Sequence, residues 1–121
     1  MSVVEVEQRG RIVLITLNRP EKRNALTPEM NTALRLAFTQ FRDDDACWVA
    51  VLAASGADFC AGVDIGQRPT DATTRTWPGG ITREFECWKP IVAATQGHVL
   101  GGGLELAMCA DIRIGDATTR L

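Results

Sequence analysis

The chain has 121 residues, 45% of them hydrophobic and 23% charged, with a formal net charge of −2. That length suits one domain with its own core. The near-neutral balance excludes the basic footprint of a nucleic-acid binder. The amino-terminal MSVVEVEQRGR carries acids early and has no long apolar core, so it reads as part of the domain and not as a secretory leader.

Val4 and Val6 alternate with Glu5 and Glu7, the pattern of a half-exposed strand. Gln8-Arg9-Gly10-Arg11 reads as a tight turn, and Ile12–Leu17 as a more deeply buried β-branched strand, which together predict a hairpin. Asn18-Arg19-Pro20 stops that strand, since Pro20 has no N–H to donate. A loop follows over Glu21–Leu26. Thr27 and Pro28 then form an N-cap and first-position pair. Met30, Ala33, Leu34, Ala37, Phe38 and Phe41 fall on one face of the helix that this pair opens, with Asn31, Arg35 and Gln40 on the other. Asp43-Asp44-Asp45 reads as a solvated connection, because a metal site needs more oxygen ligands arranged around it.

Trp48–Ala54 predicts a buried, parallel strand, and strand–helix–strand order implies a crossover unit. Gly62 permits a sharp bend just beyond it, at the end of the sheet where open α/β folds place ligands. Gly66–Gly80 is polar and reads as a mobile loop. Ile81, Phe85 and Trp88 have the spacing of a short helix, and the aromatics Trp77, Phe85 and Trp88 read as pocket wall or core. Lys89-Pro90 ends that segment. Ile91–Thr95 is the next strand, Asp111–Gly115 another, and Asp116–Leu121 is polar and lacks a closing element. Cys47, Cys60, Cys87 and Cys109 form no C-x-x-C pair, and the single histidine leaves no zinc spacing. Free thiols in a reducing cytoplasm are expected.

The stretch Gly97–Asp111, GHVLGGGLELAMCAD, carries the chemistry. Gly101, Gly102 and Gly103 end an apolar run and open a helix. The first N–H groups of a helix lack internal partners and suit a developing negative charge. Glu105 lies within the first turns, placed to act as an acid or base beside that charge. Ile91–Ala110 is uncharged apart from Glu105. Its glycines, Gln96 and His98 nevertheless favour a buried strand and helix over a membrane span. Considered alone, Glu105 is equally a helix-capping acid, the glycines a packing site, and His98 a structural histidine. Cys60 lacks a visible base to make it a nucleophile.

Three stretches in order, LNRPEKRNAL (17–26), GADFCAGVDI (56–65) and GHVLGGGLELAMCADIRI (97–114), closely resemble the crotonase superfamily, specifically enoyl-CoA hydratases. The resemblance implies an α/β spiral of ββα units, here incomplete at the C-terminus, with residues 1–121 as its amino-terminal part. It implies that the backbone N–H groups of Val63 and Gly102 bind the carbonyl oxygen of an acyl-CoA thioester, and that Glu105 is a catalytic acid/base. It places Lys22, Arg23 and Ala25, together with Ala61, Gly62, Asp64, Ile65 and Gly101, on the coenzyme A side of the substrate. No metal or separate cofactor is implied, since coenzyme A is part of the substrate. The expected partners are acyl-CoA thioesters and further copies in a homotrimer or hexamer, not nucleic acid or membrane. A second catalytic glutamate, which the resemblance places downstream of Glu105, falls past Leu121, as does the trimerisation region. The isolated chain is therefore expected to be a poor hydratase with open edges and apolar faces. Enoyl-CoA isomerisation, acyl-CoA hydrolysis and non-catalytic acyl-CoA binding are the rival activities.

Overall fold

The alternation of buried and half-buried residues in Ile12–Leu17 arises because this strand lies within a five-stranded mixed sheet and packs one face on the core. The computed structural model describes residues 2–67 and 76–121. Strands β1 (Val4–Arg9), β2 (Ile12–Leu17), β3 (Val49–Ala54), β4 (Ile91–Thr95) and β5 (Ile112–Gly115) occur in the sheet in chain order. β1 and β2 form the expected antiparallel hairpin, with Val4 opposite Leu17 and Arg9 opposite Ile12. β2–β3, β3–β4 and β4–β5 are all parallel. The core face is supplied at every second position, by Val13, Ile15 and Leu17, then Ala50 and Leu52, then Ile91 and Ala93.

Helix α1 (Pro28–Asp43) begins where the sequence predicts. The Thr27 hydroxyl accepts the Met30 N–H at 3.1 Å, and Pro28 occupies a position whose own N–H needs no helical partner. Met30, Leu34, Ala37, Phe38 and Phe41 are buried. At its far end Lys89 Nζ donates to the carbonyls of Phe41 (2.9 Å) and Asp44 (2.7 Å), satisfying acceptors that the helix leaves open. Helix α2 (Gly102–Met108) follows β4, as expected from the glycine triplet. Ile91–Ala110 is thus a strand and a short helix, and none of the described helices is long and apolar enough to cross a membrane.

Several expectations are corrected. Asn31 is buried, not on a solvated face, because its side chain accepts the Gly79 N–H (2.8 Å) and donates to Thr76 Oγ1 (2.9 Å). Residues 81–84 form a turn and bends and residues 85–88 are irregular, with no helix across the segment. The Arg35 guanidinium takes the carbonyls of Gly80, Arg83 and Glu84, and Glu84 has φ 55°, outside helical backbone. Phe85 does meet the core, edge-on to Phe38, but Trp88 is 91% exposed. Val6 is exposed too, so β1 buries only Val4. The tail is closed by pairing: Arg120 donates its N–H to Gly97 O (2.7 Å), and its carbonyl accepts the Val99 N–H (2.8 Å). The loop expected over Gly66–Gly80 lies mostly on residues 68–75, outside the described residues. β5 is an edge strand exposed throughout, Ile112 and Ile114 included, as expected of an open apolar edge.

Parallel order has one consequence for the site. The loops leaving β2, β3 and β4 all emerge at the carboxyl end of the sheet. Residues 18–27, 55–67 and 96–101 therefore gather there.

Candidate functional site

The loops after β2 and β3 are joined by a short parallel bridge between Leu26 and Val63. Leu26 donates its N–H to Gly62 O (2.7 Å), and its carbonyl accepts the Asp64 N–H (2.8 Å). In a parallel bridge of this kind the flanking residues make the bonds, so the N–H of Val63 is turned away from Leu26. Gly62, at φ 111°, supplies the bend that allows it. A second bridge joins Cys60 to Val99: the Cys60 N–H bonds His98 O (3.1 Å) and the Leu100 N–H bonds Cys60 O (3.0 Å). It leads the other chain segment directly into Gly101 and α2.

These two bridges bring Val63 and Gly102 together. A Cβ on Gly102 would lie 3.2 Å from Val63 Cγ2 and 3.0 Å from Pro78 Cβ; one on Gly62 would lie 3.8 Å from the Gly102 nitrogen. Within α2 the N–H groups of Gly103 and Leu104 reach Leu100 O, and that of Glu105 reaches Gly101 O at 3.0 Å. Neither the Val63 nor the Gly102 N–H has a protein acceptor among the described residues. The glycine at 102 is a spatial requirement as well as an open donor. At 103 the requirement is stricter, since a Cβ there would fall 2.6 Å from Cys60 Cβ. Glu105 is exposed one turn into the helix.

The residues expected on the coenzyme A side also converge. The Ala61 N–H donates to Arg23 O (3.0 Å), and Arg19 Nη1 reaches both Ala25 O (3.0 Å) and Asp64 Oδ2 (2.7 Å). Lys22, Arg23 and Ile65 are exposed along this edge, and Gly101 is exposed beside α2. The Arg19 guanidinium, with the Gly66 N–H, holds the Asp64 carboxyl below its ordinary value. The contribution of Asp64 to stability is thus present above the unfolded-state value of about 3.9 and is lost as pH falls through the lower folded value. Asp64→Asn is expected to lower the urea midpoint at pH 7 and to match the parent protein at strongly acidic pH. An equal deficit at both would exclude this linkage.

Two residues that anchor the site lie inside the stretches 17–26 and 56–65, yet their role is not legible from those motifs. Asn24 is fully buried at φ 55°. Its Oδ1 accepts the Arg19 N–H (2.7 Å) and its Nδ2 donates to Ser55 O and Asp58 O (both 2.9 Å), so it pins the β2 loop to the β3 loop. The only local signal is that asparagine tolerates left-handed backbone. Asn24→Ala is expected to cost about 3 kcal/mol, since three polar groups lose their partner while alanine keeps the strained φ. Asn24→Gly is expected to recover roughly 1 kcal/mol of that by removing the strain. Urea unfolding checks both, and equal losses in the two variants would refute the backbone share. The other anchor is Asp58, whose Oδ1 accepts the backbone N–H of His98 (2.9 Å) and lies 2.7 Å from its Nδ1. His98 is therefore a paired histidine, as expected. Burial pushes the Cys60 thiol up to about 11, away from the thiolate form that a nucleophile needs. All four cysteines are free.

A mostly parallel sheet whose strand-end loops meet at a glycine-opened helix is the architecture of the crotonase fold. An enoyl-CoA hydratase from Mycobacterium marinum superposes with a TM-score of 0.85 at 34% identity, over 95% of this chain and 46% of that one. One from Mycobacterium tuberculosis H37Rv gives 0.82 at 34%, with the same coverage. The profile of the enoyl-CoA hydratase/isomerase family matches residues 7–121, and the chain belongs to that family. Among curated proteins, the (E)-benzylidenesuccinyl-CoA hydratase of Thauera aromatica is 36% identical over 123 aligned positions, which cover 97% of this chain and 48% of the relative. The chain spans about half the length of the relatives it matches.

Proposed function

We propose that residues 1–121 form the oxyanion-binding half of an enoyl-CoA hydratase site, with Val63 N–H and Gly102 N–H as the donors and Glu105 as one acid/base group. The observation that carries this reading is the juxtaposition of Val63 and Gly102, whose backbone N–H groups have no protein acceptor among the described residues, with exposed Glu105 one helical turn beyond Gly102. Water attacks the β-carbon of a 2-enoyl thioester, and the electron pair of the double bond shifts toward the carbonyl, leaving an enolate on the thioester oxygen. Two preorganised donors at that oxygen lower the barrier by about 3–4 kcal/mol each. Protonation at the α-carbon then gives the 3-hydroxyacyl thioester. Glu105 orients or deprotonates the water, or carries the proton to the α-carbon. The second carboxylate comes from outside residues 1–121.

Under the same reading the edge formed by exposed Lys22, Arg23, Ile65 and Gly101, half-buried Ala25, Ala61 and Asp64, and the buried Gly62 backbone meets coenzyme A. The protein acts in the cytoplasm, consistent with its unpaired cysteines. It assembles as a trimer or a pair of trimers and needs no metal or separate cofactor. The test uses the intact protein and a short 2-enoyl-CoA, and follows the loss of the conjugated thioester's ultraviolet absorbance and the carbonyl stretch of the bound thioester. Hydration, with the stretch moved to lower frequency, supports the reading. Binding without a shift in the stretch refutes the oxyanion hole, and a shift without water addition refutes hydration.

A further inference from the structure

Asp58 stands at the start of the segment that ends in Val63, and His98 at the start of the segment that ends in Gly102. The two segments run side by side through the Cys60–Val99 bridge. Along this short ladder the backbone bonds are Phe59 N–H to Gln96 O (2.7 Å), Cys60 N–H to His98 O (3.1 Å) and Leu100 N–H to Cys60 O (3.0 Å). Among the described residues the N–H of His98 meets no carbonyl. The Asp58 carboxylate takes that place: one oxygen accepts the backbone N–H and faces the ring nitrogen of the same residue. Its other oxygen lies 3.7 Å from Arg23 Nε, and its backbone carbonyl accepts from buried Asn24. The Asp58 side chain is only 12% exposed, so water competes weakly for these bonds. Gly97, at φ 57°, has no room for a side chain: its Cβ would run into the Ala57 carbonyl and the Asp58 carboxylate. The backbone is thus shaped to admit this carboxylate at this point.

We propose that Asp58, acting through His98, is a positioning residue for the oxyanion hole. It fixes the register between segments 58–63 and 98–102 and so sets the separation of the Val63 and Gly102 N–H groups. The inference rests on the reading of those two groups as the thioester-oxygen donors. A charge-assisted bond is roughly twice as strong as a neutral one. A neutral amide at position 58 therefore holds the same N–H more loosely, and a methyl group does not hold it at all. Donors that shift by a fraction of an ångström still bind the thioester but no longer match the enolate oxygen.

The experiment compares the intact parent protein with Asp58→Asn and Asp58→Ala on a short 2-enoyl-CoA. It measures kcat and KM separately, the carbonyl stretch of the bound thioester, and the urea midpoint. The expected order is parent, then Asn, then Ala, in both kcat and the size of the downward carbonyl shift. Asp58→Ala is expected to lose about 10- to 100-fold in kcat with little change in KM. If Asp58→Ala does not fold, the parent–Asn pair carries the test, with a smaller shift and lower kcat expected for Asn. Variants that lose stability but keep the parent's kcat and carbonyl frequency overturn the proposal while leaving the hydratase reading intact. A parent protein that neither shifts the carbonyl nor hydrates the substrate overturns that reading instead, and the clamp with it.

Discussion

Glu105→Gln in the intact protein is expected to lower turnover of a 2-enoyl-CoA by about 10²- to 10⁴-fold, with substrate affinity and unfolding midpoint nearly unchanged. The structure separates these readouts. Glu105 is exposed, and its carboxylate enters no ion pair among the described residues. An isosteric amide there should stay within about 0.5 kcal/mol of the parent's stability. Its N–H bond to Gly101 O belongs to the backbone and survives the substitution. What the amide cannot do is accept a proton at neutral pH. A kcat loss with stable binding is the signature of a group that acts in the chemical step alone. If the Glu105→Gln variant turned over substrate normally, Glu105 would revert to a helix-terminal acid that merely favours the dipole, and the proton chemistry would have to come wholly from elsewhere. A parallel loss of affinity would instead make it a binding residue.

The elements were legible wherever local chemistry decides the outcome. Ile12–Leu17 and Val49–Ala54 are apolar runs too short for helices. Thr27-Pro28 supplies a cap and a first turn, and the glycine triplet marks the entry to α2. Failures fall where a distant partner outweighs local pattern. Ile81, Phe85 and Trp88 have helical spacing, yet Arg35, more than forty residues away in sequence, captures the carbonyls a helix would have used. Asn31 breaks the polar side of α1 because Gly79 needs an acceptor. The same rule divides the site. The glycines and AGVD stretch are contiguous motifs, so Val63, Gly102 and Glu105 could be singled out from sequence. The bonds that Asn24 donates and the bonds from Asp58 to His98 span separations of 31 to 40 residues and leave no trace in spacing. A polar residue in a loop is ordinary by composition, and only the fold shows which ones are buried and fully bonded.

Gly102→Pro and Gly102→Ala, taken as a pair, are expected to show whether position 102 serves as open space or as a donor. Both substitutions add a Cβ that meets Pro78 and Val63 at 3.0 and 3.2 Å, tighter than relaxed packing, so both should lose about 1–2 kcal/mol of stability through crowding. They differ at the amide nitrogen, where alanine keeps the N–H and proline carries a ring carbon in place of the hydrogen. Gly102 is the first residue of α2, where proline is the best tolerated of all helical positions and where the lost N–H had no acceptor among the described residues to begin with. Folding therefore gives little reason for proline to be worse than alanine. If the Gly102 amide is an oxyanion donor, turnover gives a large one: Gly102→Pro should fall a further 10²- to 10³-fold below Gly102→Ala, about 2.7–4 kcal/mol of enolate stabilisation. The carbonyl stretch of bound thioester should move back toward its free value in proline and stay shifted in alanine. Equal turnover in the two variants would assign the whole effect to crowding against Val63 and remove Gly102 from the catalytic site. The donor beside Val63 would then have to be sought elsewhere along the Leu100–Gly103 backbone.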